Sequence, residues 1–299
     1  MKFRSRLEKL PGPSAVAIGN FDGFHAGHRM IIETLQATAR HENLLAVVLT
    51  FHPHPRLYFK HPIQLISTDG QRRETLSRQL LDYLFFIAFA IVVDLPAHDF
   101  IAGILRETLR MQVLVVGEDF RFGRGREGDL ERLRREAATG QFKLIQAASM
   151  EIGGCRVASS LIRKKLAAGA VREAGGMLER PYYIDGIVAR GAGRGKKLGF
   201  PTINVATANQ ILPAGVFHTW AEIGRRRYDS VTNIGFTPTF DAAGQVSLKI
   251  ETHIPGFQRM VYGKKIRLHF IDKIRDEKKF TSPRDLVEQI RQDIALLGI

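Results

Sequence analysis

Cysteine is almost missing: Cys155 is the one thiol in 299 residues. That excludes an intramolecular disulfide and any cysteine-based metal cluster, and it fits a reducing compartment. No histidine motif is arranged to activate Cys155, so it is expected to be a small buried apolar group. Long apolar runs are missing too. The longest, Tyr83 to Val93, lies between Asp82 and Asp94, and a membrane span needs about 20 residues. It reads instead as a central parallel strand. Met1 to Lys9 carry charge without an apolar stretch, so no secretory signal is expected there. There is no internal repeat, no long Gly/Ser or Pro linker and no arginine-rich tail. A soluble, cytoplasmic protein is the expectation.

What is present is enough apolar material for ordinary cores, 44% of residues, and a formal net charge of +14. Such a charge suits either nucleic acid or smaller anions such as nucleotides. The basic residues are scattered: Arg132, Arg134 and Arg135 in one segment, Arg225 to Arg227 in a turn, Lys264 and Lys265 in another. The aromatics do not alternate with them as in an RNA-reading sheet. Small anionic substrates and a solvated remainder are therefore preferred, with no nucleic-acid partner expected.

The first part of the chain alternates strand and helix. Apolar runs at 15–18, 44–51, within 83–93, at 113–116 and at 142–147 read as strands. Helical patterns at 28–41, 71–81, 98–110 and 129–138 lie between them. The prolines of His52-Pro53-His54-Pro55 make a rigid loop. This alternation predicts an α/β fold with a doubly wound parallel sheet. After about Pro181 the pattern changes to short strands at 182–188, 215–222, 227–232, 246–253 and 265–270, which predict a smaller antiparallel β-barrel. A C-terminal helix follows, with Leu286, Ile290 and Ile294 at helical spacing behind Ser282-Pro283 as N-cap and first residue. The expected domains are 1–181 and 182–299.

The chain is organised around Gly19-Asn20-Phe21-Asp22-Gly23-Phe24-His25-Ala26-Gly27-His28. Here a buried strand hands over to a helix, a place with unpaired N–H groups and a positive helix end. Two imidazoles there can donate to phosphate oxygens as charge develops. One histidine alone would read as a helix cap. Gly117-Glu118-Asp119-Phe120-Arg121-Phe122-Gly123-Arg124 begins at another strand end and offers carboxylates, guanidinium groups and rings, though alone it reads as a charged surface loop. Val157-Ala158-Ser159-Ser160-Leu161-Ile162-Arg163 opens a helix with hydroxyls and an arginine one turn on, which suits a triphosphate; a plain N-cap is the alternative. His52 and His54 read as part of the wall around a nucleotide rather than as a metal site.

In the second part, Gly191 to Gly199 is glycine-rich but is no P-loop, because Lys196 is followed by Lys197 where Ser or Thr is required. A flexible basic turn is the plain reading. Phe200-Pro201-Thr202-Ile203-Asn204, Asn233-Ile234-Gly235-Phe236-Thr237-Pro238-Thr239-Phe240 and Ile250-Glu251-Thr252-His253 follow. A carboxylate at a strand end can serve as base toward a hydroxyl, or be a solvated edge residue.

Taken together, these stretches resemble the bacterial bifunctional riboflavin kinase/FAD synthetase family. The first matches the His-x-Gly-His signature of nucleotidyltransferases, and the resemblance covers nearly the whole chain. It implies that the first part adenylylates FMN with ATP, releasing pyrophosphate, and that the second phosphorylates riboflavin. It implies that His25, His28 and Arg163 act on the phosphates, with Gly19, Phe21, Asp22, Gly27, Asp119, Ser159 and Ser160 around the nucleotide and Arg156 adding a contact. Ser160 stands where the family has Thr. Glu251 matches the family's base for the 5′-hydroxyl. Thr202 and Asn204 inherit its Mg²⁺ contacts, and Gly199 and Pro201 lie beside the nucleotide. ATP, riboflavin, FMN and FAD are the implied substrates and products. Two alternatives stay open: one half alone is active, or the chain is a basic RNA-binding protein on a barrel scaffold. A tRNA-charging enzyme shares the histidine turn, but the chain has no Lys-Met-Ser-Lys-Ser element. Oligomeric state is left open.

Overall fold

The computed structural model describes residues 1–191, 195, 198–240 and 246–298. They form two compact units, Met1–Ser159 and Ser160–Ile299.

The first unit contains β1 (Lys2–Arg4), β2 (Ser14–Ile18), α1 (Ala26–His41), β3 (Leu45–His52), α2 (Pro55–Tyr58), α3 (Asp69–Ser77), β4 (Tyr83–Ala88), α4 (Ala97–Asp99), β5 (Met111–Val116), α5 (Leu130–Ala138) and β6 (Lys143–Gln146), then a small hairpin, β7 (Glu151–Ile152) and β8 (Cys155–Arg156). Six strands make one parallel sheet in the order β1-β4-β3-β2-β5-β6. Alternate side chains feed two cores. Val16, Ile18, Val47 and Leu49 pack with Phe100, Ile101 and Leu105 on one face. Ala15, Ala17, Ala46 and Val48 pack with Ile32 and Leu35 of α1 on the other. The small alanines leave room for α1 to lie close. Chain order steps outward from β2 through β3 to β4, then crosses back to β5, so the strand order reverses between β2 and β5. Ligands of open parallel sheets bind at such a point.

Several expectations shift. The 83–93 run is not wholly strand. Its last part, Phe89–Ile91, turns into a short helix, and β4 is shielded on one side by only the three residues of β1. The helix expected over 71–81 is capped by Thr68 and ends at Ser77. The helix expected over 98–110 is α4 continued by a wide-turned stretch, Phe100–Thr108, in which the Leu109 N–H reaches the Ile104 carbonyl. Pro55 ends the rigid loop by opening α2, as proline can at a first helical position. Cys155 is exposed, not buried, because it sits at the tight end of the β7–β8 hairpin.

From Ser159 the chain runs through α6 (Ser159–Ala167) and α7 (Val171–Leu178) into β9 (Tyr182–Ala189), β10 (Thr202–Thr207), β11 (Gly215–Ile223), β12 (Arg226–Phe240), β13 (Val246–His253), β14 (Lys265–Arg275) and α8 (Pro283–Ala295). The six strands close into an antiparallel barrel in the order β10-β13-β12-β11-β14-β9. Five of them were legible in the sequence. The sixth, β10, begins in the Pro201-Thr202-Ile203-Asn204 stretch, which taken alone looks like an ordinary turn. Inside the barrel, Phe217, Leu268 and Phe270 share the space with a hydroxyl ladder. Thr219 bonds Ser230 (2.8 Å) and Thr232 (2.6 Å), and Thr232 bonds Thr252 (2.9 Å). The hydroxyls satisfy one another, so their burial is tolerated. Helix α8 starts on the Ser282 cap and is tied to β14 by Asp293, whose buried carboxylate takes Arg275 Nη2 at 2.8 Å and Nε at 3.0 Å.

Candidate active sites

The turn after β2 is built by backbone strain and glycine. Phe21 and Phe24 adopt φ of 50° and 46°, the left-handed region. Gly19 has no side chain, and a Cβ there would stand 3.1 Å from the Phe21 ring. Asp22 is 1% exposed. Its carboxylate accepts the N–H groups of Ile66 (3.2 Å) and Ser67 (3.0 Å), so it holds the turn against the segment before α3. The Ser159 hydroxyl, at the end of the first unit, donates to the Asp22 carbonyl at 3.1 Å.

His25 is the N-cap of α1: its Nδ1 accepts the His28 N–H at 3.3 Å. Nδ1 is therefore an acceptor, and the neutral ring carries its proton on Nε2. The His28 ring stacks on it with centroids 3.7 Å apart and planes 17° apart. The edge of Phe21 packs on His28 at 5.3 Å. Gly27 admits the His25 ring, which a Cβ would meet at 3.3 Å. The cap reading and the paired-imidazole reading are thus true of the same residue.

A residue that sequence reasoning passed over braces this turn. Arg72 on α3 has a side chain 0% exposed. Its guanidinium donates to the Asn20 carbonyl (2.7 Å), the Phe51 carbonyl (2.9 Å) and the Asp69 carboxylate (2.6 Å), and lies over the Phe86 ring. It joins the loop leaving β2 to the end of β3. The local signal was the Thr68-x-x-Gln71 capping box, formed in full. Nothing in the sequence marks the next arginine as buried. Asp69 also pairs with His52. His54 caps α2, accepting the Arg56 N–H at 3.2 Å.

The loop after β5 lies on the other side of the reversal point. Its rings are less available than the sequence suggested. Phe122 is buried against Phe100, and Phe120 stacks on it at 5.5 Å. Gly128 lets Phe122 in, since a Cβ would stand 2.6 Å from the ring. Asp119 is bonded to Arg156 at 2.7 Å, and Glu118 pairs with the same guanidinium. Two residues expected separately at the nucleotide therefore meet each other. Asp129 caps α5, and the Arg132 N–H, followed by Arg121 nearby, holds its carboxyl below the usual range. On α6 in the second unit, Ser160 is exposed and Arg163 half-buried.

The barrel has its own polar row. In register across three strands, Asn204 of β10 faces Glu251 of β13, and Glu251 faces Asn233 of β12. The next row along places Thr202 beside His253. These side chains point away from the buried Ile250 and Thr252, because strand neighbours alternate faces. Lys249, two residues from Glu251 on the same face, pairs with it at 2.6 Å. His253 Nδ1 lies 2.8 Å from the Pro201 carbonyl. Gly195 lies against Thr202 Oγ1, which a Cβ would approach to 3.2 Å. Gly199, at φ 85°, makes the turn before Pro201. Gly193, Arg194, Lys196 and Lys197, and with them most of the glycine cluster, lie outside the described residues. Lys249 and Asn233 were not singled out as site residues. Lys249 has no motif, and only the register sets it beside the carboxylate.

A parallel sheet with stacked histidines beyond the end of β2, followed by a closed barrel with a Thr-x-Asn strand facing a glutamate, defines a two-part, nucleotide-using transferase. A family model described as FAD synthetase matches residues 7–161, and one described as riboflavin kinase matches 178–297. The bifunctional riboflavin kinase/FMN adenylyltransferase of Escherichia coli K12 is 34% identical over 96% of this chain and 93% of its own. The protein so described in Bacillus subtilis 168 is 32% identical over 96% and 92%. A solved Streptococcus pneumoniae chain, described as a macrolide-efflux protein, is 28% identical with a TM-score of 0.87 over 97% of this chain and 95% of its own. The chain belongs to the bifunctional riboflavin kinase/FAD synthetase family. It carries both domains, and its substrates are those of flavin cofactor formation: ATP, riboflavin and FMN.

Proposed function

We propose that the Gly19–His28 turn performs the adenylyl transfer and the Asn204–Glu251–Asn233 row the phosphorylation. The stacked pair His25/His28, its tautomer set by the helix cap, is the observation that supports this most strongly. In the first reaction an FMN phosphate oxygen bonds to the α-phosphorus of ATP, and the bond to the bridging oxygen breaks to release pyrophosphate. The imidazoles neutralise charge on the phosphate oxygens, and Arg163 holds the leaving pyrophosphate; positioning and electrostatics supply the catalysis. Gly19, Phe21 and Gly27 shape the turn, and Asp22 and Ser159 hold it in place. Ser160, Asp119 and Arg156 complete the nucleotide's surroundings, with Arg156 exchanging its carboxylate partners for phosphate.

In the second reaction the 5′-hydroxyl of riboflavin bonds to the γ-phosphorus of ATP. Its proton passes to Glu251, and ADP leaves. Thr202 and Asn204 fit a Mg²⁺ ion: both offer neutral oxygen, the donor class this ion takes. Among the described residues no cluster of three His, Cys, Asp or Glu could hold a metal. When bound, the ion offsets phosphate charge. Gly199 and Pro201 carry the chain past the nucleotide. The functional division falls at about residue 181, before β9, giving parts 1–181 and 182–299. The chain acts on small molecules in the cytoplasm, with no nucleic acid or membrane partner. Among the described residues no helix is long and apolar enough to cross a membrane.

The test is an incubation of the purified chain with riboflavin, ATP and Mg²⁺, separating FMN from FAD by chromatography. His28→Ala is expected to cut FAD formation by about a hundredfold or more while FMN still forms. Undiminished FAD synthesis in that variant would remove the assignment of the first site.

A further inference from the structure

One polar atom in the barrel row has no partner. Asn233 Oδ1 is buried and accepts no hydrogen bond among the described residues. That is unusual for a side chain on the outer face of a barrel strand, where water normally supplies donors. Two residues along β12, Gly235 has the Glu277 carboxylate directly over it; a Cβ there would stand 1.6 Å from Glu277 Oε1. At the other end of the row, Gly191 lies so close to the Asn204 amide that a Cβ would meet Nδ2 at 2.0 Å. Glycine at both places lets neighbouring segments approach the row.

The register fixes what lies beside this oxygen. Asn233 is the direct cross-strand neighbour of Glu251, and side chains so placed have Cβ atoms about 5 Å apart. A carboxylate and a carboxamide oxygen at that spacing form a pair of acceptors. Neither can be satisfied by a phosphate, which brings only further acceptors at neutral pH. Both are satisfied by two hydroxyls on adjacent carbons of one chain. A buried acceptor without a donor also discriminates strongly, since a ligand lacking the matching hydroxyl leaves it unpaired.

We infer that Asn233 is a specificity-determining residue of the phosphorylation site: its Oδ1 accepts the hydroxyl next to the one that Glu251 deprotonates, so the site selects a polyol chain with adjacent hydroxyls. This rests on the reading of Glu251 as base.

The test uses the full chain with Mg·ADP and follows quenching of flavin fluorescence on binding. Riboflavin is compared with its 4′-deoxy analogue, which keeps the reacting 5′-hydroxyl and lacks its neighbour. The native chain is expected to bind the analogue about tenfold or more weakly. Asn233→Ala is expected to bind riboflavin about tenfold more weakly and to treat the two flavins alike within about twofold. Asn233→Asp, which keeps an acceptor oxygen, is expected to keep the discrimination, and it carries the test if the alanine variant fails to fold. A native chain that does not discriminate, or an alanine variant that still does, overturns the inference. So does an alanine variant that loses affinity for Mn²⁺ while keeping its preference between flavins, which would make Asn233 an ion ligand. Failure of the underlying reading looks different: Glu251→Gln would then phosphorylate riboflavin normally, whatever Asn233 does.

Discussion

At His25 one imidazole both starts a helix and takes part in a stacked pair. The cap uses Nδ1 and the proposed donation to phosphate uses Nε2, so the two duties can be separated. Asparagine is among the best N-caps. His25→Asn is therefore expected to keep the fold, with an unchanged circular-dichroism melt, yet lower adenylyl transfer about a hundredfold for loss of one donor. Parallel loss of helix and activity would mean that the cap alone accounts for this histidine. His269 on β14 shows a different constraint. Burial pushes its ring below the ordinary histidine value, against the opposing hydrogen bond of Glu222 at 3.2 Å. The unfolded chain then binds a proton that the folded chain resists. The stability this gives is present above about pH 6.5, the unfolded value, and is lost as pH falls from there through the folded value. Thermal melts are expected to show this loss as pH falls below about 6.5, and His269→Gln should flatten the slope. An unchanged slope in that variant would exclude His269 as its source.

Among the elements, α3 matters beyond its nine residues. It carries no expected catalytic group, but Arg72 ties its first turn to the carbonyls of Asn20 and Phe51, and Asp22 is held by the segment just before it. Removing a buried guanidinium whose two terminal nitrogens hold two carbonyls and a carboxylate strands those partners, and the loss is on the order of 3 kcal/mol. Arg72→Met is expected to lower the urea midpoint of the first unit and to reduce adenylyl transfer, while riboflavin phosphorylation continues. Native adenylyl transfer in that variant would show that the turn stands without its brace. Strand β10 teaches the converse. It is short and follows a proline, so it reads as a turn until β9 and β13 supply its hydrogen bonds on both sides.

For the whole molecule, the stacked histidines and the Asn204–Glu251–Asn233 row stand in different compact units, each with its own core. If the sites work independently, an equimolar mixture of His28→Ala and Glu251→Ala chains should make FAD from riboflavin. FMN should accumulate first, then be consumed. FMN that persists without FAD would show that both sites must reside in one chain.

The sequence was most legible where local chemistry dictates the outcome. Alternating apolar runs gave the parallel sheet, because strands buried on both faces must be continuously apolar. Ser282-Pro283 marked the start of α8 at the residue where it begins. The histidine turn and the row residues Thr202, Asn204 and Glu251 were marked by motif. The sequence was least legible where partners are distant. Cys155 looked like core and is exposed, because a two-residue turn leaves its side chain nothing to pack on. Asp119 and Arg156 were expected separately around the nucleotide and meet each other, 37 residues apart in the chain.

By itself, then, the order of residues determined that a sheet precedes a barrel, that two histidines stand at the first strand's end, and that the family's signatures are present in both parts. Those follow from periodicity and from contacts within a few residues. Only the tertiary structure decided that His25 Nδ1 belongs to the helix, that Arg72 is buried beneath the turn, and that Asn204, Glu251 and Asn233 stand abreast. Strand register and burial arise when distant segments compete for the same space, and no local stretch carries that information.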